Sequence, residues 1–413
     1  MVEGRLKIAF VDYVLEPDKP GRSGLSDIVW DMASELTNQG HEVHVVASYH
    51  TTQYPDARIS VHNFETPPMG YRNVVGNAWL LYRAARIVKS IQPDIVHAPE
   101  YVSTAVFSLY GVSSPMVLTV PGNIFHKIEH GNSYEWYFTQ VLKWAAKKSA
   151  ASCSSVIAIS KEMKLWWEMT GSPPDRTPWI PLGVNTSRFY LVSDARAQLG
   201  IPNDKVFLLY VGRFSTEKGL LDLLDALASI KSQLDPSKVQ VTLIGKGRLE
   251  QELGERIEQE GLGAIVALRP WVAQEELKVW YSAASALLLP SHSEGFSRTI
   301  PEAMICGTPV IGTRITGTED HIEHGVNGCL VHPKDAKAIA EVISNVVLKP
   351  EAAKSMGHAA LSYAQQHLTW PAIVERIVKE VYIPVVAASA AQKKRAEHST
   401  LSFDIQSGEA HDQ

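Results

Sequence analysis

Two short segments hold side chains whose types and spacing could carry out chemistry. In "VGRFSTEKG" (211–219), Arg213 and Lys218 stand five residues apart where an apolar run ends. Two fixed cations in one loop can clamp a diphosphate, the guanidinium by forking onto oxygens and the ammonium as a point charge. In "SEGFSRTIPEAMICGTPVIGT" (293–313), Glu294 and Glu302 stand eight positions apart. A carboxylate repels phosphate but accepts hydrogen bonds from hydroxyls, so a sugar hydroxyl is its natural partner. Between them Gly295 and Ser297 are small enough to bring backbone close to a ligand. A helix expected to start near Arg298 or Thr299 would add the unfilled N–H groups of its first turn, which suit phosphate oxygens. The plain alternative is a solvated loop with one capping and one exposed glutamate.

These residues need a frame to position them. "LKIAFVDY" (6–13), "GHEVHVVAS" (40–48), "DIVHAP" (94–99), "MVLTVPG" (116–122), "VIAIS" (156–160) and "WIPLGV" (179–184) read as strands. Most are apolar throughout, the pattern of strands buried on both faces of a parallel sheet. Helical stretches such as "AWLLYRAARIVKSI" (78–91) fall between them, which implies right-handed βαβ crossovers. After a polar connector at 183–205 the pattern starts again. "VFLLYVGR" (206–213), "VQVTLIGKG" (239–247), "IVALRPW" (265–271), "ALLLPS" (286–291), "PVIGT" (309–313) and "GCLVHP" (328–333) are the second set of strands. The reading is α/β: one domain over 1–190, joined by a crossover helix at about 371–388, and a second over 200–370. The tail 390–413 is poor in apolar residues and is expected to be unstructured. Ligands of open α/β sheets bind beyond the carboxyl ends of the strands, where both chemical segments fall.

The chain has 413 residues, is 45% hydrophobic and 20% charged, and carries a formal net charge of −5. It is long enough for two or three domains, and no global basicity points to nucleic acid. Cys153, Cys306 and Cys329 are far apart and form no metal spacing. Three scattered cysteines suit a reducing, cytoplasmic setting. No signal-peptide pattern opens the sequence, and no apolar run approaches the roughly 18 residues of a membrane span. The pairs in "HKIEH" (126–130) and "HIEH" (321–324) lack a third ligand in reach, and no D-x-D is present, so no metal is expected. "GRSGLSD" (21–27) is not a dinucleotide fingerprint.

Taken together, "SGLSDIVWDMASELTNQGHEVHVV", "PDIVHA", "WIPLGVNTSRF", "VGRFSTEKG", "EGFSRTIPEAMICGTPVIGT" and "TGTEDHIEHGVNGCLV" occur in an order that resembles the retaining glycosyltransferases of family 4, glycosyl transferases group 1. The resemblance implies a GT-B fold, two Rossmann-like domains facing across a donor and acceptor cleft. It implies a nucleotide diphosphate sugar as donor substrate, a UDP-sugar ahead of a GDP-sugar, with no further cofactor and no metal. Arg213 and Lys218 would then hold the diphosphate, helped by Gly295 and the backbone of Phe296, Ser297 and Arg298. Glu302 would accept from the donor ribose, and Glu294 would lie near hydroxyls of the transferred sugar. Gly24 would let a first-domain loop approach the diphosphate, and Trp271 marks where the base would sit. The family's T-x-H histidine is absent from "LTVPGNIFH", where Pro121 takes its place; His126 and His97 are the nearby alternatives. Gly317 of a G-G-x-x-E loop is kept, but Asp320 replaces the glutamate.

The implied reaction transfers a hexosyl-type sugar with retention to an acceptor hydroxyl on a lipid, saccharide or small molecule. Neither the acceptor nor the oligomeric state can be read from these residues. "SYEWYFTQVLKWAAKKSAAS" (133–152) and "KEMKLWWEMTG" (161–171) join aromatics to lysines, as faces do that touch anionic lipid at the inner side of a membrane. Two other readings compete: a sugar nucleotide epimerase or hydrolase of the same architecture, and a non-catalytic sugar nucleotide-binding subunit.

Overall fold

The computed structural model describes residues 4–12, 24–48, 54, 56–64, 74–120 and 136–408. Two compact units emerge from the backbone packing. The first comprises 1–158, 164–180 and 374–413, and the second 159–163 and 181–373. Each is built on one six-stranded parallel sheet.

In the first unit the strands are β1 (Lys7–Asp12), β2 (Glu42–Ala47), β3 (Ser60–Asn63), β4 (Ile95–Ala98), β5 (Met116–Thr119) and β6 (Ser155–Ile157). Their order is β3-β2-β1-β4-β5-β6. The second unit repeats this with β7 (Val206–Val211), β8 (Val239–Ile244), β9 (Val266–Arg269), β10 (Ala286–Leu289), β11 (Val310–Thr313) and β12 (Gly328–Val331), ordered β12-β11-β10-β7-β8-β9. All pairs are parallel, but the order in which the chain adds strands changes side between β1 and β4, and again between β7 and β10. At such a switch point the loops leaving two neighbouring strands diverge and open a crevice.

The burial of β7 explains its uniform apolarity. All six of its residues are buried. Val206, Leu208 and Tyr210 enter one hydrophobic core, and Phe207, Leu209 and Val211 enter another. A strand whose alternate side chains serve two cores cannot show a polar face. The following helix Leu220–Ser229 turns Leu220, Leu223, Leu224 and Leu227 onto the first of these cores. Each such leucine stabilises by roughly 1.5–3 kcal/mol on burial.

Three expectations differ. "WIPLGV" forms no strand; only isolated bridges join Ala158 to Trp179 and Val184 to Thr369. Pro181 lacks the N–H that a ladder needs. β3, "SVHN", escapes pattern reading because it is a four-residue edge strand with no buried position. Residues 390–408, expected to lack structure, continue the helix Ile383–Gly408; alanine, glutamine, lysine and arginine there are strong helix formers.

His97 lies on β4 and is a core residue. It is buried, shares hydrogen bonds with Tyr382 Oη (2.6 Å) and Thr119 Oγ1 (2.8 Å), and stacks on Phe10. Both ring nitrogens are thus engaged inside the unit, so His97 does not stand in for the absent T-x-H histidine. Burial pushes its pKa from 6.5 down to about 3. The unfolded chain therefore binds more protons than the folded one below pH 6.5, and stability present above that pH falls on the way to pH 3. Going from about pH 7 to about pH 5, this one group should cost about 2 kcal/mol. Denaturant unfolding at the two pH values checks this. His97→Asn, which cannot titrate, should lose correspondingly less, and an unchanged loss would remove His97 as the source.

Candidate active site

The loops after β7 and β10, neighbours at the switch point of the second unit, carry the chemical segments. Tyr210 Oη donates to the Arg213 carbonyl (2.8 Å) and fixes the chain as it leaves β7. The loop then closes a short 3-10 turn, Thr216–Lys218, and enters the helix at Gly219 with φ of 64°. A Cβ at Gly219 would lie 2.0 Å from the Pro290 carbonyl oxygen. Glycine is required there both for the left-handed backbone and for contact between the two loops. The His292 N–H donates to the Glu217 carbonyl (2.8 Å), and His292 Nε2 meets Asp222 Oδ2 at 2.5 Å. The β10 loop is thereby tied to both the β7 loop and its helix.

This bracing sets Lys218 against Glu294. The Lys218 Nζ to Glu294 Oε1 distance is 2.6 Å, with the two side chains only 15% and 8% exposed. Ser291 Oγ donates to the same carboxylate oxygen at 2.8 Å. Arg213 extends outward, its side chain largely exposed, and makes a 3.6 Å ion pair with Glu217. One exposed guanidinium and one braced ammonium thus share a loop.

The next helix is Thr299–Ile305, preceded by Arg298, as expected for its start. Seven residues give little dipole, so first-turn amides matter more than helix length. Glu302 is buried; Tyr281 Oη donates to its Oε2 at 3.0 Å, and Arg298 Nε lies 4.0 Å from its Oε1. Ser297 Oγ and Thr299 Oγ1 share a 2.9 Å hydrogen bond. Phe296 packs edge-on against His321. Gly317, with φ of 79°, brings the loop after β11 against this segment: a Cβ there would lie 2.8 Å from the Gly295 carbonyl oxygen. Asp320 is occupied by Lys161, whose backbone N–H donates to Oδ2 at 3.1 Å.

The structure therefore joins Lys218 directly to Glu294 and groups Arg213, Gly295, Phe296, Ser297 and Arg298 on the loops at the carboxyl ends of β7 and β10, with Glu302 in the helix that follows the second of them. Trp271 is half exposed, two residues past β9. Gly24 is the first residue of the helix Gly24–Asn38 in the first unit, and His126 lies outside the described residues. Sequence reasoning missed Tyr281, Ser291 and the His292–Asp222 pair. The signal for Tyr281 was present: a tyrosine on an apolar helix face must find a partner for its hydroxyl. Among the described residues no group of three or more His, Cys, Asp or Glu side chains is placed to hold a metal.

Known proteins share the sequence pattern and the fold. Residues 22–188 match the family described as Glycosyltransferase Family 4, and residues 192–362 match Glycosyl transferases group 1. The chain belongs to this glycosyltransferase family. Sucrose-phosphate synthase from Thermosynechococcus elongatus is 25% identical with a TM-score of 0.74, the likeness covering 93% of this chain and 100% of that one. HepE of Anabaena, solved in complex with UDP-glucose, has the same fold at 23% identity and a TM-score of 0.67, covering 91% and 99%. The architecture of this glycosyltransferase is GT-B. A D-inositol 3-phosphate glycosyltransferase of Arthrobacter sp. (strain FB24) is 36% identical over 190 residues, 46% of this chain and 45% of that relative. The chain is thus matched to about half the length of that curated relative.

Proposed function

We propose that this glycosyltransferase moves a hexosyl-type sugar from a nucleotide diphosphate sugar, a UDP-sugar ahead of a GDP-sugar, to an acceptor hydroxyl with retention at the anomeric carbon. The observation that carries this reading is the Lys218–Glu294 pair at the β7 and β10 switch point. A cation for phosphate and a carboxylate for hydroxyls, side by side, fit the junction between a diphosphate and a sugar. The solved complex of HepE with UDP-glucose supports the same class of donor.

In this reading the diphosphate lies along Arg213 and Lys218, with backbone at Gly295, Phe296, Ser297 and Arg298 beside it. Glycosidic cleavage builds positive charge on the anomeric carbon and negative charge on the leaving phosphate oxygen. Arg213 and Lys218 stabilise the second of these as it grows, so they favour the transition state over bound donor. Their two charges take the part a divalent ion would otherwise play. Glu294 has one oxygen held by Lys218 and Ser291. A carboxylate so engaged orients sugar hydroxyls better than it attacks carbon, which supports a direct same-face transfer over a covalent glycosyl-enzyme. The leaving phosphate oxygen then takes the acceptor proton.

A screen of nucleotide sugars by thermal shift tests the donor. A UDP-sugar at about a hundred times its Kd should stabilise the protein by roughly 2.7 kcal/mol. Product analysis with the best donor should give a glycoside of unchanged anomeric configuration. Inverted product, free sugar alone or an epimerised donor would each overturn the proposed transfer. Donor binding with no turnover on any acceptor would mark a binding subunit.

A further inference from the structure

One side of the first unit carries a charge pattern unlike the chain as a whole. The helices Val74–Ile91, Tyr101–Phe107 and Trp136–Ser152 lie side by side there. The Tyr82 ring meets Tyr110 edge-on at 5.6 Å, and Thr104 Oγ1 hydrogen-bonds Ser149 Oγ at 2.8 Å. Together the three helices hold Arg83, Arg86, Lys89, Lys143, Lys147 and Lys148, and no Asp or Glu. The complete chain has a formal net charge of −5, so this cationic side is a local concentration. Five of the six cations are exposed, and Lys148 is half-buried.

Large apolar side chains share the surface. Trp79, Tyr82, Val141 and Trp144 are exposed on the same helices, and Leu109 just beyond the second. Arg83 lies over the Trp79 ring at 5.5 Å. Tyr82, Ala85, Arg86, Lys89, Ser90 and Tyr110 line a shallow cavity of about 480 Å³. The pairing of "KEMKLWWEMTG" with lipid fares differently: Trp167 is wholly buried, and Glu162 and Glu168 dilute the charge of that helix.

We infer that this face docks the protein on an anionic bilayer surface, with the Arg86–Lys89 cavity receiving a phospholipid headgroup phosphate. Cations alone would serve any polyanion. Tryptophan and tyrosine beside the cations are what a headgroup interface selects, because each ring keeps an apolar body in the acyl boundary and a polar edge in water. Each cation near such a surface contributes about fivefold in affinity. None of these residues belongs to the donor loops, 211–219 and 290–305.

Sedimentation of the full chain with phosphatidylcholine vesicles, with and without phosphatidylglycerol, tests this. The protein should pellet with the anionic vesicles alone and leave them when salt is raised tenfold. Arg83→Gln/Arg86→Gln/Lys89→Gln should weaken binding on the order of a hundredfold. Trp144→Ala should weaken it several-fold at equal charge. Both variants should keep the wild-type melting temperature and donor-induced stabilisation. Failure of the folded wild type to pellet with anionic vesicles overturns the inference, as does equal binding to neutral ones. Tighter binding to duplex DNA than to vesicles at the same salt also overturns it.

Discussion

Lys218→Ala is expected to slow glycosyl transfer by about a hundred- to a thousandfold, with the loss in kcat more than in donor KM. The size is that of removing one preorganised charge from a growing oxyanion. The kinetic form follows because the diphosphate charge rises most in the transition state. Folding is the competing explanation and can be separated from catalysis. Lys218 and Glu294 are both largely buried, so removing the lysine leaves a buried carboxylate that still accepts from Ser291 Oγ but has lost its countercharge. Lys218→Ala/Glu294→Gln removes that unbalanced charge and should restore the melting temperature while leaving transfer slow. Recovery of turnover in the double variant would show that Lys218 serves structure alone. Near-normal turnover in Lys218→Ala would end its assignment to the diphosphate.

Much of this frame was legible because burial on two faces forces a recognisable pattern. β7 is apolar at every position since its side chains alternate between two cores. The same logic failed for β3, whose edge position leaves it partly solvated, and for 179–184, where apolarity reflects packing without a ladder. The loops were legible as chemistry, but their pairing was not. Arg213, Lys218, Glu294 and Glu302 stood out by type and by place after strands. That Lys218 meets Glu294 depends on the contact of Gly219 with Pro290, a relation across 71 residues that no local spacing reveals. His97 shows the converse. A histidine at the end of a strand reads as a site residue, yet the phenol that holds it comes from Tyr382, 285 residues away.

Glu302 should separate from Lys218 in its kinetic signature. A carboxylate accepting from the donor ribose makes the same contact in the bound donor and in the transition state. Its loss is therefore uniform binding lost. Glu302→Gln should raise donor KM on the order of a hundredfold with kcat little changed, the cost of hydrogen bonds to a charged acceptor. The glutamine keeps an oxygen that can accept from Tyr281, so the buried hydroxyl is not stranded. Tyr281→Phe tests the support from behind. Tyr281 Oη holds Glu302 Oε2 at 3.0 Å, and without it the carboxylate is less well aimed. A rise in donor KM of about fivefold is expected, at constant kcat and with a stability loss of about 1 kcal/mol. Steady-state kinetics with the best UDP-sugar measure both. A fall in kcat at unchanged KM in Glu302→Gln would move that carboxylate from the ribose to the reacting sugar. An unchanged KM in Tyr281→Phe would reduce the tyrosine to a core residue.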